Sequence, residues 1–414
     1  MKQMKDSGIE WIGRIPEDWE LTTYRRVFNR RKEYDDKDKQ VLSLTIQGVK
    51  EKNENYGKMA EDFTGHQIVK KNDLVFTPRD FDATPILSGI APCDGCISNL
   101  YFVLYPHDTS NTHIPFYNYF MWGVKWGGDI WRKLSYGMRF SYNFQQFGAL
   151  PTVIPPIDTQ KRIADYLDEK CGMIDRYIEK QQQVIEKLKA YKQSVITEAV
   201  TKGINPDVPM KDSGIEWIGM IPEHWGVCKF GYLATVKSNL VHPNEYKSYP
   251  QVSSENIEKG SGKLLECHTV DEVGIISDNH LFFKGQILYS KIRPALNKAT
   301  IAPFDGLCSA DIYPIETKEC LKFVLYSILS ESFLEQVRTI TETRVKMPKI
   351  NQNELSGIWL TKIPYDEQQA IATYLDSLCE SIDKAIANKE KIVRKVIEYK
   401  KSLIYEVVTG KLEV

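Results

Sequence analysis

Apolar residues fall at helical spacing in two long stretches of the chain. Ile174, Ile178, Ile185, Leu188 and Val195 recur at intervals of 4, 7, 3 and 7, and Ile382, Ile386, Val393, Val396 and Leu403 repeat that register. This is a heptad seam, the pattern that lets one helix pack along another. Asp158 and Asp366, each shortly after a proline, suit N-caps, and Gly203 and Gly410 suit the stops. The pattern predicts two helices of about 44 residues, each roughly 65 Å long at 1.5 Å per residue. One such seam alone reads as ordinary core or as a homodimeric coiled coil. Two matched copies in one chain read better as an antiparallel pair within the molecule, a rigid spacer.

Elsewhere the alternation has the period of a strand. VLSLTIQGV (41–49), DLVFTPR (73–79), LYFVLYP (100–106), HLFFKGQILYSKI (280–292) and SADIYPI (309–315) are separated by Gly, Asn, Asp and Pro turns. Further helix is expected around 114–134 and 321–337. The expected fold class is α+β: two α+β globules separated by two long antiparallel helices that form an intramolecular coiled coil.

The chain also repeats itself. MKDSGIEWIGRIPEDW at 4–19 returns as MKDSGIEWIGMIPEHW at 210–225, with changes only at Arg14/Met220 and Asp18/His224, and QKRIADYLDEKCGMIDRYI from Gln160 returns as QQAIATYLDSLCESIDKAI from Gln368. A period of about two hundred residues means duplicated domains and not a stacked solenoid. This gives a pseudo-two-fold layout: arm and first globule at 1–157, first long helix at 158–203, linker at 204–209, second arm and globule at 210–363, second long helix at 364–414. Trp11, Trp19, Trp217 and Trp225 in the arms read as buried anchors in preference to base-stacking aromatics. Between arm and helix the halves diverge, leaving faint matches such as Asp73-Leu-Val-Phe with Gln286-Ile-Leu-Tyr and Ser98 with Ser309. Duplicated scaffolding with diverged globules suits one kind of task performed on two different targets.

Composition narrows the class. Of 414 residues, 42% are hydrophobic and 26% charged, the balance of a chain with several folded domains. No apolar run approaches the ~18 residues of a membrane span and the first residues carry no signal region, so a cytoplasmic protein is expected. Eight scattered cysteines imply free thiols. A net charge of −1 requires any nucleic-acid surface to be local.

No catalytic or cofactor motif emerges. GSGK at 260–263 lacks the first glycine of a phosphate loop, since Ile257 stands there, and Leu264 follows the lysine; a turn is the better reading. IPPI at 154–157 lacks the polar first residue and the aromatic of an amino-methyltransferase loop and reads as a strand-to-helix corner. Cys93 and Cys96 form a CxxC that Cys267-His268 could complete as a metal site, but a loop with two free thiols is favoured. Asp168/Asp376 and Asp175/Asp383 lie beside the helix seam, where capping, ion pairing or partner contact outweighs acid–base chemistry. No metal, cofactor or catalytic residue is assigned.

The arm DSGIEWIGxIPExW, the corner and helix PPIDTQKRIADYLDEKCGMID, and KGQILYSKIRP followed by GLCSADIYPI resemble the specificity subunits of type I restriction–modification systems, over essentially the whole chain. The resemblance implies that each globule is a target-recognition domain for half of a split double-stranded DNA sequence, with the paired helices as spacer. It implies methylation subunits docked on the long helices, an ATP-driven restriction and translocase subunit beyond them, and no catalysis in this chain. DNA contacts are expected from polar and basic side chains on loops: Thr45, Gln47, Arg79, Arg139, Tyr142 and Asn143 in the first globule, and Ser253, Ser254, Asn256, Lys291, Arg293, Lys298, Arg344 and Lys346 in the second. Lys71-Asn-Asp73 against Lys284-Gly-Gln286, and Thr77-Pro-Arg-Asp80 against Ser290-Lys-Ile-Arg293, depart between halves and weaken the transfer of contacts from one to the other. For any single side chain, solvated surface is the competing reading. The rival functions are a self-sufficient DNA methyltransferase or nuclease with divergent motifs, and a coiled-coil scaffold that binds only protein.

Overall fold

A computed structural model describes residues 3–34, 40–52, 65–80, 85–128, 130–135, 141–344 and 346–414. The chain forms two compact units, residues 1–182 with 391–414 and residues 183–390. The division falls inside the long helices, so each unit holds one globule and part of both helices.

The first unit opens with an antiparallel hairpin, Met4–Asp6 against Arg14–Pro16. Glu20–Thr23 then pairs antiparallel with Pro151–Ile154, bringing the entry and exit of the globule together as a two-strand neck. Beyond the neck, a four-stranded antiparallel sheet runs in the order Phe28–Arg31, Phe102–Pro106, Leu74–Phe76, Ser88–Ile90. Helices Ile114–Gly128, Ile130–Lys133 and Phe144–Ala149 complete it. Aromatic side chains fill the interior, with Phe147 4.9 Å from both Tyr24 and Phe76, ring centre to ring centre. Rings are efficient filler here because each buries a large apolar area with only two side-chain torsions to fix.

The second unit repeats the plan. Met210–Asp212 pairs with Met220–Pro222, Gly226–Lys229 pairs with Trp359–Lys362 as the neck, and the sheet order is Ala234–Val236, Ile312–Thr317, Ile287–Ser290, Ala299–Ile301. Its helices are Leu321–Leu329, Glu331–Thr341 and Gln352–Ser356. The run at 280–292 is two strands, Asn279–Phe282 and Ile287–Ser290, broken by a turn at Gly285 with φ +88. Asn279–Phe282 joins a second sheet, paired antiparallel with Gly306–Cys308, which pairs in parallel with Gln251–Val252.

The long helices span Ile157–Lys202 and Tyr365–Val408. All ten seam residues are buried or half-buried. In the first unit Ile163 and Leu167 share a core with Leu403, Ile404 and Val407, and in the second Ile196 and Val200 share one with Ile371 and Leu375, so within each unit the helix segments run antiparallel. The fold class is therefore α+β with an internal repeat and long paired helices. Asp158 and Asp366 lie inside the first turn and not at the cap, where a carboxylate still faces the positive end of the helix. The buried amides of Gln160 and Gln368 fasten each start instead: Gln160 bonds the carbonyls of Asn111 and Pro155 and the amide of His113, and Gln368 bonds the carbonyl of Ile363, the carboxylate of Glu319 and the amide of Cys320. These glutamines open both copies of the repeated motif, a signal available in the sequence.

Candidate nucleic-acid interface

In both globules a turn with positive φ launches the central strand. Asn72 has φ +72 and Gly285 φ +88, and the preceding Lys71 and Lys284 amides each donate 2.7 Å to an aspartate carboxylate, of Asp94 and Asp305 respectively. Asn is one of the few non-glycine residues that tolerates this region, so the differing tripeptides build the same turn. The next residue serves the sheet: Asp73 binds Arg31 at 2.8 Å and Gln286 donates 2.8 Å to Glu316. A second left-handed residue follows each strand a few positions on, Asp80 at φ +57 after Phe76 and Arg293 at φ +44 after Ser290.

In the second unit the candidates converge. Ser253 and Asn256 cap each other across a single turn, and the Asn256 side-chain amide donates 2.7 Å to the carbonyl of Glu266. Ser254 Oγ lies 2.8 Å from Ser290 Oγ, and its carbonyl accepts from Lys298 Nζ at 2.5 Å. One step beyond Ser290, the Lys291 ammonium rests over the Tyr313 ring at 5.2 Å and 4.0 Å from Asp311. The Lys291 carbonyl accepts from the Ile350 amide and the Arg293 amide donates to the carbonyl of Pro348, which ties residues 348–350 alongside. Arg344 is braced on Glu354 at 2.5 Å, and its hydrogen bond is foremost in holding the Glu354 carboxyl below the ordinary carboxylate range. Lys346 is exposed.

The first unit is less uniform. Thr45 and Gln47 form the tip of the hairpin Leu42–Thr45 and Gly48–Glu51; Thr45 Oγ1 donates to the carbonyl of Gly48 at 2.9 Å and accepts from the Gln47 amide at 3.1 Å, while the Gln47 side chain is exposed and accepts from Lys50. The hairpin sits close on the sheet, where Gly89 leaves no room for a Cβ against Gly48. Arg79 is half-buried, beside the Pro78 carbonyl that accepts from the Tyr142 amide at 2.8 Å. Tyr142 is 4% exposed and its hydroxyl donates to the carbonyl of Trp131, so it belongs to the core and is corrected from reader to packing residue. Asn143 caps Phe144–Ala149 in a capping box with Gln146, as Asn351 does with Glu354 in the second unit, which makes both asparagines part of the shared scaffold. Arg139 lies outside the described residues.

The remaining motifs find structural places. GSGK is a hairpin turn between Ile257 and Leu264, and Lys263 reaches Asp383 on the second long helix at 2.8 Å, where Lys192 of the first helix also binds at 2.8 Å. Asp175 binds Lys400 at 2.6 Å in the first unit, the counterpart of the Lys192–Asp383 pair with acid and base exchanged between the helices. Asp168 and Asp376 accept the hydroxyls of Tyr119 and Tyr326 at 2.6 and 2.8 Å. IPPI is the corner between Pro151–Ile154 and the first long helix. Among the described residues all eight cysteines are free thiols and no cluster of three metal-type ligands occurs. Trp19 and Trp225 are buried anchors and Trp11 packs near Phe120, whereas Trp217 is 39% exposed.

No protein-family model matches the chain. It is 30% identical over 270 residues to the type I restriction enzyme EcoDI specificity subunit of Escherichia coli, covering 60% of this chain and 61% of that protein. It is 25% identical over 287 residues to the MjaVIII specificity subunit of Methanocaldococcus jannaschii, covering 63% and 62%. Among solved structures, the HsdS subunit from Thermoanaerobacter tengcongensis aligns over 96% of this chain and 98% of its own with a TM-score of 0.50 and 12% identity. A chain from a type I R-M system, solved for its complex assembly and conformational transition, aligns over 96% and 99% with a TM-score of 0.71 and 11% identity. This chain resembles type I specificity subunits and shares their fold. It spans about three-fifths of the length of the curated specificity subunits it matches. Within each unit the neck and four-stranded sheet recur as the repeated frame. No described helix is long and apolar enough to cross a membrane.

Proposed function

We propose that the chain is the non-catalytic, DNA-reading specificity subunit of a type I restriction–modification complex. Each globule reads one half of a bipartite duplex target, and the long helices serve as spacer and as the dock for methylation subunits, with a restriction and translocase subunit joining that core. The observation that carries this reading is the likeness to the E. coli specificity subunit in a chain built twice from one plan. Repetition of neck, sheet and cap with divergent loops is what two readers of unlike sequence require. Catalytic chemistry belongs, on this proposal, to the partners.

The test is methylation mapping of host DNA with the gene intact and deleted. A bipartite methylated motif present with the gene and absent without it is the expected outcome. Turnover of DNA by the purified chain alone would replace the reading with a self-sufficient enzyme. Binding indifferent to DNA sequence and to salt would replace it with a protein scaffold, because phosphate contacts release counterions and weaken steeply as salt rises.

A further inference from the structure

The basic residues on the face of the second globule differ in what their charged ends do. Lys291 and Lys349 share Asp311, Arg344 is held by Glu354, and Lys298 donates to the carbonyl of Ser254. Arg293 and Lys346 are exposed, and among the described residues neither side chain has a hydrogen-bond or ion-pair partner. Next to Lys346 stands Met347, 55% exposed, an apolar side chain left in water between Lys346 and Pro348.

The backbone is fastened at Arg293 and on either side of Lys346 and Met347. Arg293 holds φ +44, ψ +54, a left-handed conformation unfavourable to an arginine, and its amide donates 2.8 Å to the carbonyl of Pro348. Ile292 and Lys349 form an isolated antiparallel bridge, Lys349 Nζ lies 3.0 Å from Asp311, and Arg344 bonds both Glu354 and the Lys349 carbonyl. The internal contacts therefore consume the neighbouring charges and hold residues 344 and 348–350, leaving one guanidinium, one ammonium and one thioether uncommitted on adjoining backbone. Those are three complementary chemistries for base edges: Arg or Lys for guanine O6 and N7, and an apolar contact for the thymine methyl. Strain kept at an exposed arginine is the kind of cost that persists where a side chain must be aimed.

We infer that Arg293, Lys346 and Met347 are the specificity-determining side chains of the second half, in direct contact with base edges, while Lys291, Lys298 and Arg344 shape the surface that presents them. This rests on the proposed DNA-reading role. The experiment is selection from a random duplex library by the purified chain assembled with its methylation partners, followed by sequencing. The variants are Arg293→Asn, chosen because Asn tolerates the left-handed backbone, Lys346→Ala, and both Met347→Ala and Met347→Leu. Each should lose about tenfold to hundredfold discrimination at one or two base positions, all within one half of the motif, the size expected of a lost base contact. Met347→Leu should retain more of the preference than Met347→Ala. The unchanged other half reports in the same sample that the protein is folded and assembled. A wild-type chain that enriches no motif removes the DNA-reading role and this inference with it. A wild-type motif that all the variants keep, or that they lose in both halves alike, removes the inference alone.

Discussion

Asp383 is a junction of one carboxylate and two ammonium groups. Burial pushes its pKa up, but Lys192 and Lys263 outweigh that and hold it below the ordinary carboxylate range. A carboxyl whose folded pKa is depressed contributes stability that is present above its unfolded pKa, about 3.9, and lost as pH falls through the folded value. The thermal midpoint of the wild type should therefore fall more steeply between pH 5 and pH 3 than that of Asp383→Asn, which should already be less stable at pH 7 because Lys192 and Lys263 lose their partner. Parallel pH profiles for the two proteins would remove this account. The sequence exposed only part of this residue's role. Its place beside the seam pointed to an ion pair, but the turn that brings Lys263 to it lies more than a hundred residues away in the chain. Tyr142 shows the opposite failure: an aromatic among basic and polar residues looks like a reader until the hydrogen bond to Trp131 shows it facing inward.

At the scale of elements, periodicity was the strongest signal, because a helix of 46 residues offers many turns over which a seam can be counted. Short strands gave less, and the run at 280–292 concealed a turn because Lys284-Gly285-Gln286 interrupts the apolar runs 281–283 and 287–289 for only three residues. The two capping asparagines carry an element-scale prediction. Asn143→Ala and Asn351→Ala should each cost about 0.5–2 kcal/mol in denaturant unfolding, since each removes a side-chain acceptor for an otherwise unpaired helix amide. The end of the second helix is followed by Gly410, at φ +71, where an added Cβ would lie 2.5 Å from the Pro16 ring. Gly410→Ala should consequently destabilise the first unit, measurable as a lower thermal midpoint.

For the whole molecule, the repeat made the architecture legible while the reading surface stayed obscure. The near-identical arms build the same hairpin in both halves; segments such as 346–349 have no matched copy from which their contacts could be inferred. The necks suggest how the readers can be treated. Gly226 lies opposite Lys362 in one antiparallel pair, so a globule enters and leaves through adjacent backbone. Replacing residues 226–362 with the corresponding stretch of a relative should change one half of the methylated motif and leave the other half intact, as read by mapping host DNA; simultaneous loss of both halves would mean that the globules do not act as separate modules. The uneven covering of the arms has an optical consequence. Of the eight tryptophans, all among the described residues, Trp217 alone has more than a third of its surface open, while its counterpart Trp11 is packed against the first core. Iodide should thus quench a red-edge fraction of the protein's fluorescence that vanishes in Trp217→Phe, giving the second arm a built-in light signal whose brightness follows whatever comes to rest on it.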